Sequence, residues 1–132
     1  MDHHRLSRKS IDRLATCEPE MHKLAVLALK YSPYDFGITE GVRDIDTQRK
    51  YVEEGKSQTM NSRHLPNVNG LSEAFDFCVY GKDGLTWDKG HFRKVAQAFI
   101  RASIELGIDI EFGGLWQSFE DWPHIQLRER KK

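Results

Sequence analysis

The segment Ala74 to Tyr80, AFDFCVY, alternates as a β-strand does, yet a carboxylate stands in its middle. Phe75, Phe77 and Val79 share one face, and Ala74, Asp76 and Cys78 share the other. So apolar a strand belongs at the centre of a sheet. An ionised side chain there is costly unless it is paired, hydrogen-bonded or bound to a metal. Asp76 therefore demands a partner from elsewhere in the chain. His124 poses a similar problem in the apolar context Trp122-Pro123-His124-Ile125. His124 to Leu127 reads as another strand, with His124 and Gln126 on one face and Ile125 and Leu127 on the other. If the two strands pair, Asp76 and His124 converge on one face, and His64 lies in the loop that leads into the first strand. Two imidazoles and one carboxylate form a three-ligand set that leaves a fourth position open, the arrangement of catalytic zinc. Taken singly, each of the three also reads as a structural group, and spacing alone does not prove convergence. Asp121 stands three residues before His124. There it suits a general base for a metal-activated water, and equally an Asp that caps a turn.

The rest of the chain mixes helices and strands without a βαβ rhythm, so α+β is the expected class. A helix is expected from Glu18 to Lys30, with Thr16 as N-cap and Ser32-Pro33 as its stop. A short strand over Phe36 to Glu40 and a helix from Asp46 to Glu54, closed by Gly55, follow. Lys56 to Ser72 reads as a loop, with Pro66, Asn67, Asn69 and Gly70. Lys82-Asp83-Gly84 is a turn. His91 to Leu106 is an amphipathic helix ended by Gly107, with Phe92, Val95, Ala96, Phe99, Ile100 and Ser103 as its buried stripe. Ile108 to Phe112 is a candidate strand. Residues 1–10 read as a loose arm and 128–132 as a solvated basic tail on a single domain spanning 1–132.

The 132 residues carry 20 Lys and Arg against 20 Asp and Glu. A formal net charge of zero argues against a nucleic-acid binder, whose affinity rests on basic surplus. The longest apolar run, Leu24 to Leu29, is too short to span a bilayer. Cys17 and Cys78 form no CxxC pair and read as reduced, partly buried thiols. The opening MDHHRLSRKS lacks a signal peptide's apolar core, so synthesis in the cytoplasm is expected. His3, His4, His22 and His91 read as solvated or boundary residues, and Trp87, Trp116 and Trp122 as packing residues.

Ser62-Arg63-His64, Gly70-Leu71-Ser72-Glu73-Ala74-Phe75-Asp76 and Asp121-Trp122-Pro123-His124 together resemble the zinc peptidases that include D-alanyl-D-alanine carboxypeptidases and phage L-alanyl-D-glutamate endopeptidases. Gly41-Val42-Arg43 with Gln48, the run Gln58 to His64, and Gly113-Gly114, Trp116 and Phe119 resemble the phage endolysin branch. The resemblance extends over roughly residues 15–127. It implies a hedgehog/D-Ala-D-Ala peptidase-like fold, a small antiparallel sheet that carries the metal site and is flanked by helices. It implies one Zn2+ per chain held by His64, Asp76 and His124, with Asp121 as general base and acid. Arg43 would hold a substrate carboxylate or the developing oxyanion, where a surface salt bridge to Asp44 or Asp46 is the alternative. Ser62 and Gln48 would contact substrate. The implied substrate is a peptidoglycan stem peptide, cut at L-Ala–D-Glu by a monomeric endolysin that waits in the host cytoplasm and acts on the wall after release. A D-Ala–D-Ala carboxypeptidase and a non-catalytic zinc or wall-binding module are the alternatives. The interval from His64 to Asp76 is longer than the family's usual one by a loop, about Leu65 to Asn69, which leaves Glu73 as a competing ligand. Strand alternation puts Glu73 on the face opposite Asp76 and favours Asp76.

Overall fold

The computed structural model describes residues 4–57, 59–113 and 121–131. Among the described residues, nine elements follow one another: α1 Arg8–Leu14, α2 Pro19–Tyr31, β1 Asp35–Glu40, α3 Ile45–Glu53, β2 Ala74–Gly81, β3 Gly84–Thr86, α4 Lys89–Leu106, β4 Ile110–Phe112 and β5 His124–Leu127. All strand pairs are antiparallel, in the order β1-β2-β5-β4, with β3 folded back on β2. The α+β sheet with flanking helices expected from the sequence is what forms.

The alternation of β2 decides the layering. Phe75, Phe77 and Val79 are fully buried beneath α2 and α4. Phe77 meets the rings of Phe36, Phe92, Phe99 and Phe112 at centroid separations of 6.2, 5.4, 5.2 and 6.1 Å. Offset aromatic packing of this kind adds about 0.5–1.5 kcal/mol per pair beyond the burial itself. Ile125 and Leu127 of β5 enter the same core, which sends His124 and Gln126 to the opposite face with Asp76. The site therefore lies on the face of the sheet that the core does not use.

Several sequence expectations shift. Residues 8–10, assigned to a loose arm, open α1, capped by Ser7. This helix covers the outer edge of β1: Ile38 N–H donates to Ser10 Oγ, and Arg13 donates to Ile38 O. The outward N–H and C=O of Ile38 on this edge strand are thereby satisfied. Thr16 does not cap α2. Glu18 holds that position with Pro19 at N1, while Thr16 Oγ1 bonds Arg13 O and Val42 N. Ile100 is 40% exposed, and Ala98 and Ala102 take its place in the buried stripe of α4. Gly107 ends α4 in the left-handed region at φ 69°, as its position suggested. The basic tail is anchored: Lys131 N–H donates to Glu73 Oε2, its ammonium pairs with Glu20, and Arg130 donates to Asn61 O. Both cysteines are buried and free, and burial pushes the Cys17 thiol up to about 12.

Candidate metal centre

Asp76 and His124 are direct cross-strand partners in the β2–β5 register, so their side chains leave the sheet side by side. His64 arrives from the loop. Its carbonyl accepts from Arg43 N–H, and its Nδ1–H donates to Gly41 O at 2.8 Å. Gly41 has to be glycine here, because a Cβ would lie 2.4 Å from the Arg13 carbonyl oxygen and 2.3 Å from Thr16 Oγ1. Asp76 Oδ1 then stands 3.1 Å from His64 Nε2 and 3.1 Å from His124 Nδ1. One ligand atom from each of the three residues lies within 4.8 Å of the others, so the set can hold a metal ion.

Proton accounting tests that fit. His64 has a carbonyl on one nitrogen and a carboxylate on the other. His124 faces Asp76 through Nδ1 and Gln126 Oε1 through Nε2 at 2.8 Å. The Gln126 amide is oriented by its own Nε2, which donates to Glu111 Oε2 at 3.1 Å. Each imidazole thus meets an acceptor on both sides. Either both rings are cationic, or each keeps one outward N–H and turns a lone pair inward to a cation. The second state is the tautomer arrangement of histidine ligands. Burial alone would raise the Asp76 carboxyl, but hydrogen bonds from His124 and His64 outweigh it and hold it well below the usual carboxylate range. Burial alone would lower His124, but Asp76 outweighs that and raises it. Nitrogen and oxygen donors with an open fourth position suit zinc, and other divalent ions as well.

The triad lies in a groove of about 750 Å³ whose lining includes Glu40, Arg43, Tyr51, Ser62 and Asp121. Asp121 enters through a turn: its N–H donates to Gly113 O, and its carbonyl accepts from His124 N–H. Gly113 permits this approach, since a Cβ there would lie 2.3 Å from Asp121 O. Burial, then the charge of Asp76, raise the Asp121 carboxyl above its ordinary value. A carboxyl raised in this way holds a proton more readily than a free one, which suits a group that accepts and returns a proton.

Arg43 is buried and does not pair with Asp44 or Asp46. Asp44 caps α3, and Asp46 pairs with Arg49. The Arg43 guanidinium is forked on Glu40, donates to Gln48 Oε1 at 2.6 Å, reaches within 4.0 Å of Asp76 Oδ2 and lies 4.6 Å from the centroid of the Tyr51 ring. Gln48, expected to contact substrate, is fully buried behind Arg43 and outside the groove lining. Its amide nitrogen is used by Ser57 Oγ and Thr59 O. Its amide oxygen is used by Arg43. Ser62 does line the groove, and its Oγ also accepts from His64 N–H. Glu73 is no part of the triad: it accepts from Asn67 and Lys131 and lies near Arg63. Sequence reading missed Glu40, Tyr51, Gln126 and Glu111. Two of them left a signal: Glu40 is a charge three residues before Arg43 at the end of an expected strand, and Gln126 shares the strand face of His124. Gln58, Gly114, Trp116, Phe119 and His3 lie outside the described residues. Trp122 packs edge-on to Phe112, whereas Trp87 is 63% exposed and stacks on Phe92.

Metal-dependent hydrolases are the class whose chemistry calls for such a ligand set, with a desolvated carboxyl and a fixed cation beside it. Known proteins narrow the class. The sequence model described as phage L-alanyl-D-glutamate peptidase matches residues 2–129, and the chain belongs to that family. The L-alanyl-D-glutamate peptidase of Escherichia phage T5 is 34% identical over 125 residues, which cover 94% of this chain and 89% of that protein. The L-alanyl-D-glutamate peptidase of Listeria phage A118 is 37% identical over 91 residues, 68% of this chain and 29% of that one. The crystal structure of the Serratia marcescens L-Ala D-Glu endopeptidase ChiX superposes with a TM-score of 0.83 at 34% identity, covering 94% of this chain and 90% of that one.

Proposed function

We propose that this chain is a zinc-dependent endopeptidase that hydrolyses the L-Ala–D-Glu bond of peptidoglycan stem peptides, and that it serves as a phage endolysin. The observation that carries the reading is Asp76 Oδ1, at 3.1 Å from two imidazole nitrogens whose opposite nitrogens are both tied to acceptors. His64, Asp76 and His124 would hold the ion. Bound there, zinc supplies Lewis-acid activation of a water and of the scissile carbonyl.

The remaining steps belong to the protein. Asp121 takes the proton of the attacking water and returns it to the leaving amine, a role its partly desolvated carboxyl suits. Arg43, its plane fixed by Glu40 and Gln48, offsets negative charge that develops on the carbonyl oxygen. Ser62 contacts the substrate backbone along the groove wall, and Gln48 acts through Arg43. No helix among the described residues is long and apolar enough to cross a membrane. An enzyme of this kind would be made in the host cytoplasm and would reach the wall only after the membrane is opened.

The test pairs metal content with product analysis on purified peptidoglycan. About one zinc per chain, as the open tetrahedral ligand set requires, with chelator-sensitive release of new N-terminal D-Glu is the expected result. Release of free D-Ala instead would replace the endopeptidase reading with the carboxypeptidase one. Metal without any release would leave a binding module.

A further inference from the structure

The groove has a cationic end that the proposed chemistry does not use. Arg63 and Arg130 line it together with the triad. Arg63 is only 16% exposed in its side chain. It is locked by donation to Leu127 O at 2.6 Å and Arg128 O at 3.1 Å, with Glu73 at 3.7 Å. Arg130 is exposed and held over the groove by its donation to Asn61 O at 2.9 Å. The next residue, Lys131, is fastened at its backbone to Glu73. Among the described residues, no carboxylate lies within ion-pair distance of Arg130. Two guanidinium groups are thus fixed near each other without full compensation. That is an electrostatic vacancy for an anion, already ordered before any ligand arrives.

The acidic groups of the groove lie elsewhere and are committed. Glu40 is forked on Arg43, Asp76 is between the histidines, and Asp121 sits beside them. The substrate in the preceding proposal is asymmetric in charge. Alanine on the amino side of the scissile bond has a neutral side chain. A glutamate joined to the chain through one carboxyl keeps the other free. We infer that Arg130, backed by Arg63, is the subsite for the free carboxylate of the glutamate on the carboxyl side of the cut bond, and that it fixes the direction in which the peptide lies in the groove. A planar guanidinium is suited to bidentate recognition of such a group, where an ammonium gives a point charge only.

The inference rests on the proposed peptidase reading, so the experiment separates the two. Two peptides that differ only in a free or an amidated glutamate carboxylate are given to the zinc-loaded protein. Hydrolysis is followed by chromatography, and binding of the corresponding glutamate-terminated product peptides by calorimetry. Wild type should bind the free-acid product about tenfold more tightly than the amide, the scale of one partly exposed charge-assisted hydrogen bond. Arg130→Gln should lose that preference and show a KM about tenfold higher for the free acid. Arg130→Lys should recover part of the preference, and added salt should weaken it in wild type. Equal binding of acid and amide by wild type, or a preference that survives Arg130→Gln, overturns the subsite whether or not the peptides are cut. Discrimination in binding that depends on Arg130, with neither peptide hydrolysed, supports the subsite and removes the peptidase reading instead.

Discussion

At the level of single side chains, the candidate centre depends on groups that never face the metal position. His124 can offer Nδ1 inward only while Nε2–H has an acceptor, and that acceptor is Gln126 Oε1, itself aimed by Glu111. Replacing Gln126 by Leu removes the Oε1 that holds the outer N–H and loosens the hold on the tautomer. Zinc affinity should fall by about 10- to 100-fold, the usual effect of losing an outer-shell partner. Competition with a chelating dye measures it, and an unchanged affinity would show that the relay does not orient the ligand. Asp121 makes the opposite prediction. It stands beside the triad without belonging to it, so Asp121→Asn should keep stoichiometric zinc and lose about 10²- to 10⁴-fold in kcat, the range of general acid–base catalysis. Full activity in that variant would remove its assigned role. The difference between the two residues is one of reach. Gln126 acts on the ligand, and Asp121 acts on the reacting proton.

Among the elements, those with a strong internal period were legible, and those defined by distant partners were not. The α4 stripe, the alternation of β2 and the faces of β5 follow from residues a few positions apart, and they were enough to bring Asp76 and His124 together. Helix α1 buries only Ser10 and Leu14 among its seven residues, too little for a period to show. Its reason to exist is the open edge of β1, which the sequence does not display. The same holds for Gln48, which the resemblance offered as a substrate contact and whose fully buried amide is explained by Arg43, Ser57 and Thr59. The loop 65–69 between His64 and Asp76 is the clearest case. Asn67 donates to both Glu18 and Glu73, two buried carboxylates, while Asn69 also donates to Glu18. Its length is absorbed by these bonds, which join residues outside the groove lining. Asn67→Ala removes two hydrogen bonds to carboxylates while Asn69 still donates to Glu18 and Lys131 to Glu73, so it should cost about 1–3 kcal/mol in stability, the worth of the lost charge-assisted bonds. Zinc affinity should stay within about twofold of wild type, since experimental scatter for uncoupled sites is of that order. Denaturant unfolding and metal titration on the same variant check both parts. A large loss of zinc affinity would mean that the loop is coupled to His64 after all.

For the molecule as a whole, the balance of 20 basic against 20 acidic side chains removes any large net repulsion near neutrality. Stability between about pH 6 and about pH 8 is then governed by histidine, the side chain that titrates there. In the metal-free protein, Asp76 raises His124 above the ordinary imidazole value. A folded-state value above the unfolded one means that the protonated pair contributes fully below about pH 6.5, the unfolded value, and that this contribution is lost as pH rises through the folded value. Asp76 has the reverse sign. Its folded value is depressed, so its contribution is present above the unfolded carboxylate value and lost only when the solution becomes strongly acidic. The metal-free fold should therefore melt at progressively lower temperature as pH rises from about 6 to about 8. Zinc requires the imidazoles neutral, so its affinity grows over the same range and its stabilisation with it. Thermal melts with excess zinc and with excess chelator should diverge as pH increases, narrowing toward acid where protons replace the ion between the same three side chains. Parallel melting curves would show that the histidines of the centre do not exchange protons for metal, and would sink the assignment of His124 as a ligand.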